Sequence, residues 1–141
     1  MAGSERAGPR LPVILAGPRY GEKGVDYLFP GERHPGYELC YVDRGPVCVL
    51  VDGVGFAGRE GDLFVFFPNR EHILWAEGGT APNIVGAHFD LPGGARGYPG
   101  LARLRSGPAR LDGRGRDLVG ALLRAGRGRS ARARALARVH L

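Results

Sequence analysis

Three residues of this chain, His34, Glu38 and His72, have the side chains of a metal centre or an acid–base pair. Two imidazoles and one carboxylate, converging with positions left open, form a facial triad suited to Fe(II), Mn(II), Zn or Ni. His34 stands four residues before Glu38 in "PGERHPGYELCYVDRG". In an extended strand residues 34, 36 and 38 point to one face, so a strand that begins that early places both side chains together. His72 opens the apolar run "HILWA", directly after the turn "PNRE". The plainer role for the same groups is a His–carboxylate hydrogen bond at the mouth of a barrel. His88, in "AHFD", reads first as a strand residue satisfied by its neighbours, at a position that can bring it near the same pocket. Other chemistries find no support: there is no GxSxG, no Walker loop and no GxGxxG after a strand. The glycines of "GVGFAG" lie between strands, with no helix to turn a dipole toward a phosphate.

The elements that must position these groups are short and β-rich. The runs "LPVILA", "VDYLF", "YELCYV", "PVCVLVDG", "DLFVFF", "HILWA" and "NIVGAHFDL" are dominated by Val, Ile, Phe and Tyr, and the gaps by Gly, Pro, Asn and Asp. Many short strands at this spacing predict a sandwich or a barrel. Trp75, Tyr37, Tyr41, Phe64 and Phe66 are expected mainly in the core, with some lining a cavity. Residues 92–115 are rich in Gly, Pro and Arg and read as a linker or long irregular loop with at most one short strand. Leu118, Val119, Leu122 and Leu123 then form an apolar stripe at helical spacing, with Asp117 near the helix start. A second amphipathic helix holds Ala131, Ala135, Leu136 and Val139 on one side and stops without a C-cap, as if cut.

Composition narrows the class. The 141 residues suffice for one domain with a real core, and 43% are apolar. No leader-like or membrane-spanning run is present, so a soluble, cytoplasmic protein with no membrane partner is expected. Cys40 and Cys48 flank the turn "DRGP" and could meet across a hairpin, but free thiols suit a cytosolic chain better. Residues 1–95 carry 8 basic and 12 acidic groups, whereas 96–141 carry 12 basic and 2 acidic, which together make the net +6. The basic tail could touch DNA phosphates, but a solvated helix face accounts for it as well.

The order of the blocks adds a resemblance. Six residues separate Glu38 from Gly45, and Gly61, Pro68 and His72 follow in sequence, a pattern similar to the two-part motif of cupins, which are small jelly-roll barrels. Glu32 stands where cupins place a first His, Phe67 where the second motif usually has Pro, and Asn69 where it has Gly, though Asn also tolerates φ > 0. More narrowly, "HPGYELCYVDRGPVCVLVDG", "GREGDLFVFFPNREHIL" and "GAHFDLPG", spanning roughly His34 to Leu91, resemble the N-terminal ligand-binding and dimerisation domain of AraC-type transcriptional regulators.

That resemblance implies an all-β cupin-type double-stranded β-helix over residues 11–112, with short C-terminal α-helices over 113–141 for linkage and dimerisation. It implies a small-molecule effector, with a sugar as the analogy, held by His34, Tyr37, Glu38, His72 and His88. It implies a homodimer through Leu118, Leu122, Leu123, Leu136 and Val139, and DNA contact only through a helix-turn-helix domain that this chain lacks. No catalytic residue and no cofactor are expected on this reading. The alternative is a stand-alone metal-dependent cupin enzyme, an isomerase or dioxygenase, with a divalent transition metal on His34, Glu38 and His72.

Overall fold

The structure, a computed structural model, describes residues 13–117. Nine strands account for most of it: β1 (Val13–Glu22), β2 (Leu28–Glu32), β3 (Tyr37–Arg44), β4 (Val47–Val51), β5 (Val54–Gly58), β6 (Asp62–Phe66), β7 (His72–Ala76), β8 (Asn83–Asp90) and the two-residue β9 (Ala109–Arg110). They form two antiparallel sheets, ordered β1-β8-β3-β6-β9 and β2-β7-β4-β5. The first eight strands, four in each sheet in this order, make a jelly roll. The all-β expectation therefore holds on strand order alone.

Side-chain alternation builds the core. Along β3, Glu38, Cys40 and Val42 face inward, and Tyr37, Leu39 and Tyr41 face outward. Cys40, Val42, Val47, Val49, Phe64, Phe66, Leu74 and Ile84 fill the space between the sheets. A second apolar cluster lies on the outer face of the first sheet, where Tyr37, Val65, Phe67, Phe89 and Leu91 are covered by Ala95, Tyr98, Leu101 and Leu104. Those covering residues belong to two 3-10 segments, Ala95–Gly97 and Pro99–Ser106, and to the residue between them. The stretch expected to be a linker or long irregular loop thus packs on the barrel, because its few apolar residues repeat at spacings that a 3-10 turn aligns.

Of three further expectations two change, and that of free thiols holds. "VGFAG" reads as a turn region in the sequence but forms β5, an edge strand paired with β4. Gly58 is what allows it: a Cβ there would lie 2.8 Å from Val47 Cγ1 and 3.1 Å from Phe64 Cε2. Cys40 and Cys48 do not meet across a hairpin, because β3 and β4 lie in different sheets; both thiols are free. His34 precedes β3, which begins only at Tyr37. Asn69 does adopt positive φ, at 61°. Residues 113–117 are helical, while Leu118, Leu122, Leu123, Leu136 and Val139 lie outside the described residues.

Candidate functional site

Glu38 is the hub of the site. On β3 it pairs in register with Phe66 of β6 and His88 of β8, so these three side chains share one inward face. His72 arrives from the opposite sheet, at the start of β7. His34 arrives from the connection between β2 and β3. The outcome is three imidazoles around one carboxylate: His34 Nε2 and His72 Nε2 lie 3.1 and 3.0 Å from Glu38 Oε2, and His88 Nε2 lies 3.8 Å from Oε1. Sequence spacing put His34 and Glu38 on one strand face, but here a backbone contact does that work: His34 Nδ1 lies 2.9 Å from Gly36 O.

Each ring is aimed by something specific. His72 Nδ1 lies 3.1 Å from Arg70 O. Its ring stacks on Phe66, with centroids 4.1 Å apart and planes within 8°, and Phe29 stacks on the other side at 5.7 Å. His34 meets His72 and His88 edge to face at 5.2 and 4.8 Å. The loop that delivers His72 is itself clamped. Asp52 accepts from Arg70 Nε at 2.6 Å and from the Glu71 N–H at 3.0 Å, and its own N–H donates to Glu71 O at 3.0 Å. Arg70 also donates from Nη1 to Arg105 O at 3.0 Å, joining this loop to the second 3-10 segment.

The electrostatics follow from this packing. Burial works to raise the Glu38 carboxyl, but hydrogen bonds from His72 and His34 and the charges of His72 and His88 outweigh it and hold the carboxyl below its ordinary value. Burial likewise works to lower His72, and the hydrogen bond to Glu38, the Arg70 carbonyl and the nearby carboxylates outweigh it, so His72 holds its proton more tightly than usual.

The hydrogen-bond inventory bears on whether a metal fits. A carbonyl only accepts, so Nδ1 of both His34 and His72 carries the proton, and Nε2 of a neutral ring then turns a lone pair toward the Glu38 carboxylate. Two lone pairs facing each other repel. A second proton on the ring relieves this, and so does a cation shared between the donors. Imidazoles oriented through Nδ1–H by a carbonyl, beside a carboxylate, are a donor set that suits a divalent transition metal. The compact set is His34, Glu38 and His88, with donor atoms all within 4.8 Å of one another. It differs from the expected triad in one member, His88 in place of His72. His88 sits beside Glu38 in register, whereas His72 is held between two phenyl rings.

A cavity of about 210 Å³ opens beside the cluster. Its walls include Glu38, His72 and His88, together with Lys23, Tyr27, Phe29, Glu32, Cys40, Phe66, Leu74, Ile84 and Gly86. Of the five ligand-binding candidates, His34, Glu38, His72 and His88 come together. Tyr37 does not: one residue from Glu38, it points to the outer face, packed against Phe67 and Phe89. Sequence reasoning missed Lys23, Tyr27, Phe29 and Cys40 as lining residues. Cys40 and Gly86 were within reach, two residues from Glu38 and His88 on the same faces. Lys23 and Tyr27 sit outside any periodic pattern.

Fold and site together define a small jelly-roll binding domain with a polar cluster at a cavity between its sheets. The chain belongs to the AraC-like ligand binding domain family, whose model matches residues 19–139. No protein of curated function matches it significantly. Among solved structures it is similar to the cupin domain of Cnp3 from Schizosaccharomyces pombe (14% identity, 55% of this chain and 61% of that one, TM-score 0.46). It is also similar to a mutant form of salicylate 1,2-dioxygenase from Pseudoaminobacter salicylatoxidans (21%, 48% and 20%, TM-score 0.45). A third is KdgF from Halomonas (20%, 55% and 76%, TM-score 0.41). The matched region spans about three fifths of the Cnp3 domain and one fifth of the dioxygenase. Among the described residues, no helix is long and apolar enough to cross a membrane.

Proposed function

We propose that this chain is the effector-sensing and dimerisation domain of an AraC-type bacterial transcriptional regulator working in the cytoplasm. The observation that carries the reading is the cavity between the sheets, where apolar walls surround a few convergent polar groups on rigid strands, the usual design of a small-molecule site. Family membership points the same way. The effector enters beside Glu38, His72 and His88 and favours one arrangement of the barrel mouth. The 3-10 segments, tied to the His72 loop by Arg70, carry that preference toward the C-terminal helices. Dimerisation through those helices then sets the spacing of DNA-binding units elsewhere in the regulator.

Thermal-shift screening against small metabolites tests the sensing part. A ligand present at a hundred times its Kd stabilises the fold by about 2.7 kcal/mol. The expected result is a compound that raises the Tm of the wild type and not that of His88→Ala. Stabilisers that act equally on both proteins would sink the idea. Light scattering on the full chain tests dimerisation, and a strict monomer counts against it.

A second reading, a metal-dependent cupin enzyme, is favoured by the Nδ1-protonated imidazoles that turn Nε2 toward Glu38. His34, Glu38 and His88 would hold a divalent transition metal, which would supply Lewis-acid or redox chemistry. Stoichiometric metal that survives desalting and disappears in His34→Ala would support it, and metal-free protein from metal-supplemented cells would exclude it.

A further inference from the structure

Lys23 is the one lysine in a chain that otherwise uses arginine, and it lines the cavity. Its N–H donates to Pro82 O at 2.9 Å, which fixes its backbone at the cavity wall. Its ammonium lies 5.2 Å from the ring centroid of Tyr27, another wall residue. Among the described side chains, which begin at Lys23, no carboxylate forms an ion pair with it. Two carboxylates line the cavity, Glu32 and Glu38, and among the described ion pairs neither joins Lys23. Glu38 is committed to three imidazoles. Burial, with Cys40 and Glu38 nearby, pushes the Tyr27 phenol up to about 12, so it stays neutral. A half-buried cation therefore lines the cavity with no described carboxylate in ion-pair contact, an arrangement a bound anion would complete.

The rest of the cavity limits what that anion is. Its 210 Å³ lies below the roughly 300–1,000 Å³ of pockets for drug-sized ligands, so the ligand is small. Tyr27, Phe29 and Phe66 offer ring faces, and Leu74 and Ile84 offer aliphatic surface. A lysine is a compact point charge on a flexible apolar stem and suits one anionic group. Glu32, exposed at the rim, disfavours a second negative charge.

We propose that the cavity selects a small organic monocarboxylate, its charged group on Lys23 and its apolar body, a single ring or short chain, against Tyr27, Phe29 and Phe66. This rests on the sensing reading and replaces a neutral sugar as the effector class.

Isothermal titration with benzoate and butanoate, their neutral amides, and a neutral pentose tests it. The expected result is saturable binding of at least one carboxylate, at least tenfold weaker binding of its amide, and a tenfold or greater loss for the carboxylate in Lys23→Met. The amide's affinity stays unchanged in that variant, and Lys23→Arg retains much of the carboxylate affinity. If Lys23→Met fails to fold, the acid–amide comparison on the wild type decides. Equal binding of acid and amide overturns the proposal, as does carboxylate binding indifferent to Lys23→Met. A pentose that binds where no carboxylate does overturns the proposal and leaves the sensing reading standing. Absence of saturable binding by every probe removes both.

Discussion

At the scale of single residues the site is a carboxylate shared by imidazoles, and its pH behaviour follows. Glu38, held below its ordinary 4.5, contributes stability that is present above about that pH and lost as pH falls through its folded value. His72, held above its ordinary 6.5, contributes stability complete below that pH and lost as pH rises through its folded value. Metal-free protein is therefore expected to show its highest Tm between about pH 4.5 and 6.5, with a decline on either side. In Glu38→Gln, His72 loses its carboxylate partner while burial remains, so its folded pKa should drop and the loss of Tm with rising pH across the histidine range should shrink. A Glu38→Gln profile parallel to the wild type would refute this account of His72. Gly86 gives a second test. A Cβ there lies 3.5 Å from Glu38 Oε1, an ordinary contact, so Gly86→Ala should fold normally yet bind the effector more weakly, as titration would read. His34, Glu38 and His72 were legible in the sequence because imidazoles and carboxylates are rare in apolar runs. Tyr37 was misplaced because alternation turns neighbouring residues to opposite faces, and the strand start decides which residue faces which way.

At the scale of elements, seven of the strands were legible as β-branched and aromatic runs between turn residues. β5 was not, because its glycines resemble a turn. Its strand character comes from pairing with β4 and from the close approach at Gly58, neither of which local propensity encodes. Gly58→Ala should cost about 1–3 kcal/mol by overpacking against Val47 and Phe64, measured by denaturant unfolding. The turn at Asp52, φ 45°, is likewise invisible as a functional feature until its contacts with Arg70 and Glu71 are seen. Asp52→Ala should speed hydrogen exchange at Glu71 and His72 while leaving exchange in β3 and β8 unchanged. Uniform acceleration across both sheets would mean that the turn supports the whole barrel instead of the His72 loop.

At the scale of the whole molecule, one core between two sheets carries the stability and fixes the cavity. Phe64, buried beside Phe66 and Phe56, is a central member. Phe64→Ala should lose about 3–5 kcal/mol, and a loss below about 1 kcal/mol would mean that the sheets close over the gap. The strand order has a kinetic side as well. Among the described residues β1 pairs only with β8, so Val13 must wait for Asp90. Such closure over long stretches of chain is slow, because loop entropy is lost before the contacts form. The cluster around Glu38 likewise needs His34, His72 and His88 together. On the ribosome, then, the site is completed only when β8 brings His88 to Glu38. Until β8 has emerged, the inward faces of β3 and β4 stay open to other chains, and the capacity to recognise a ligand arrives late and all at once.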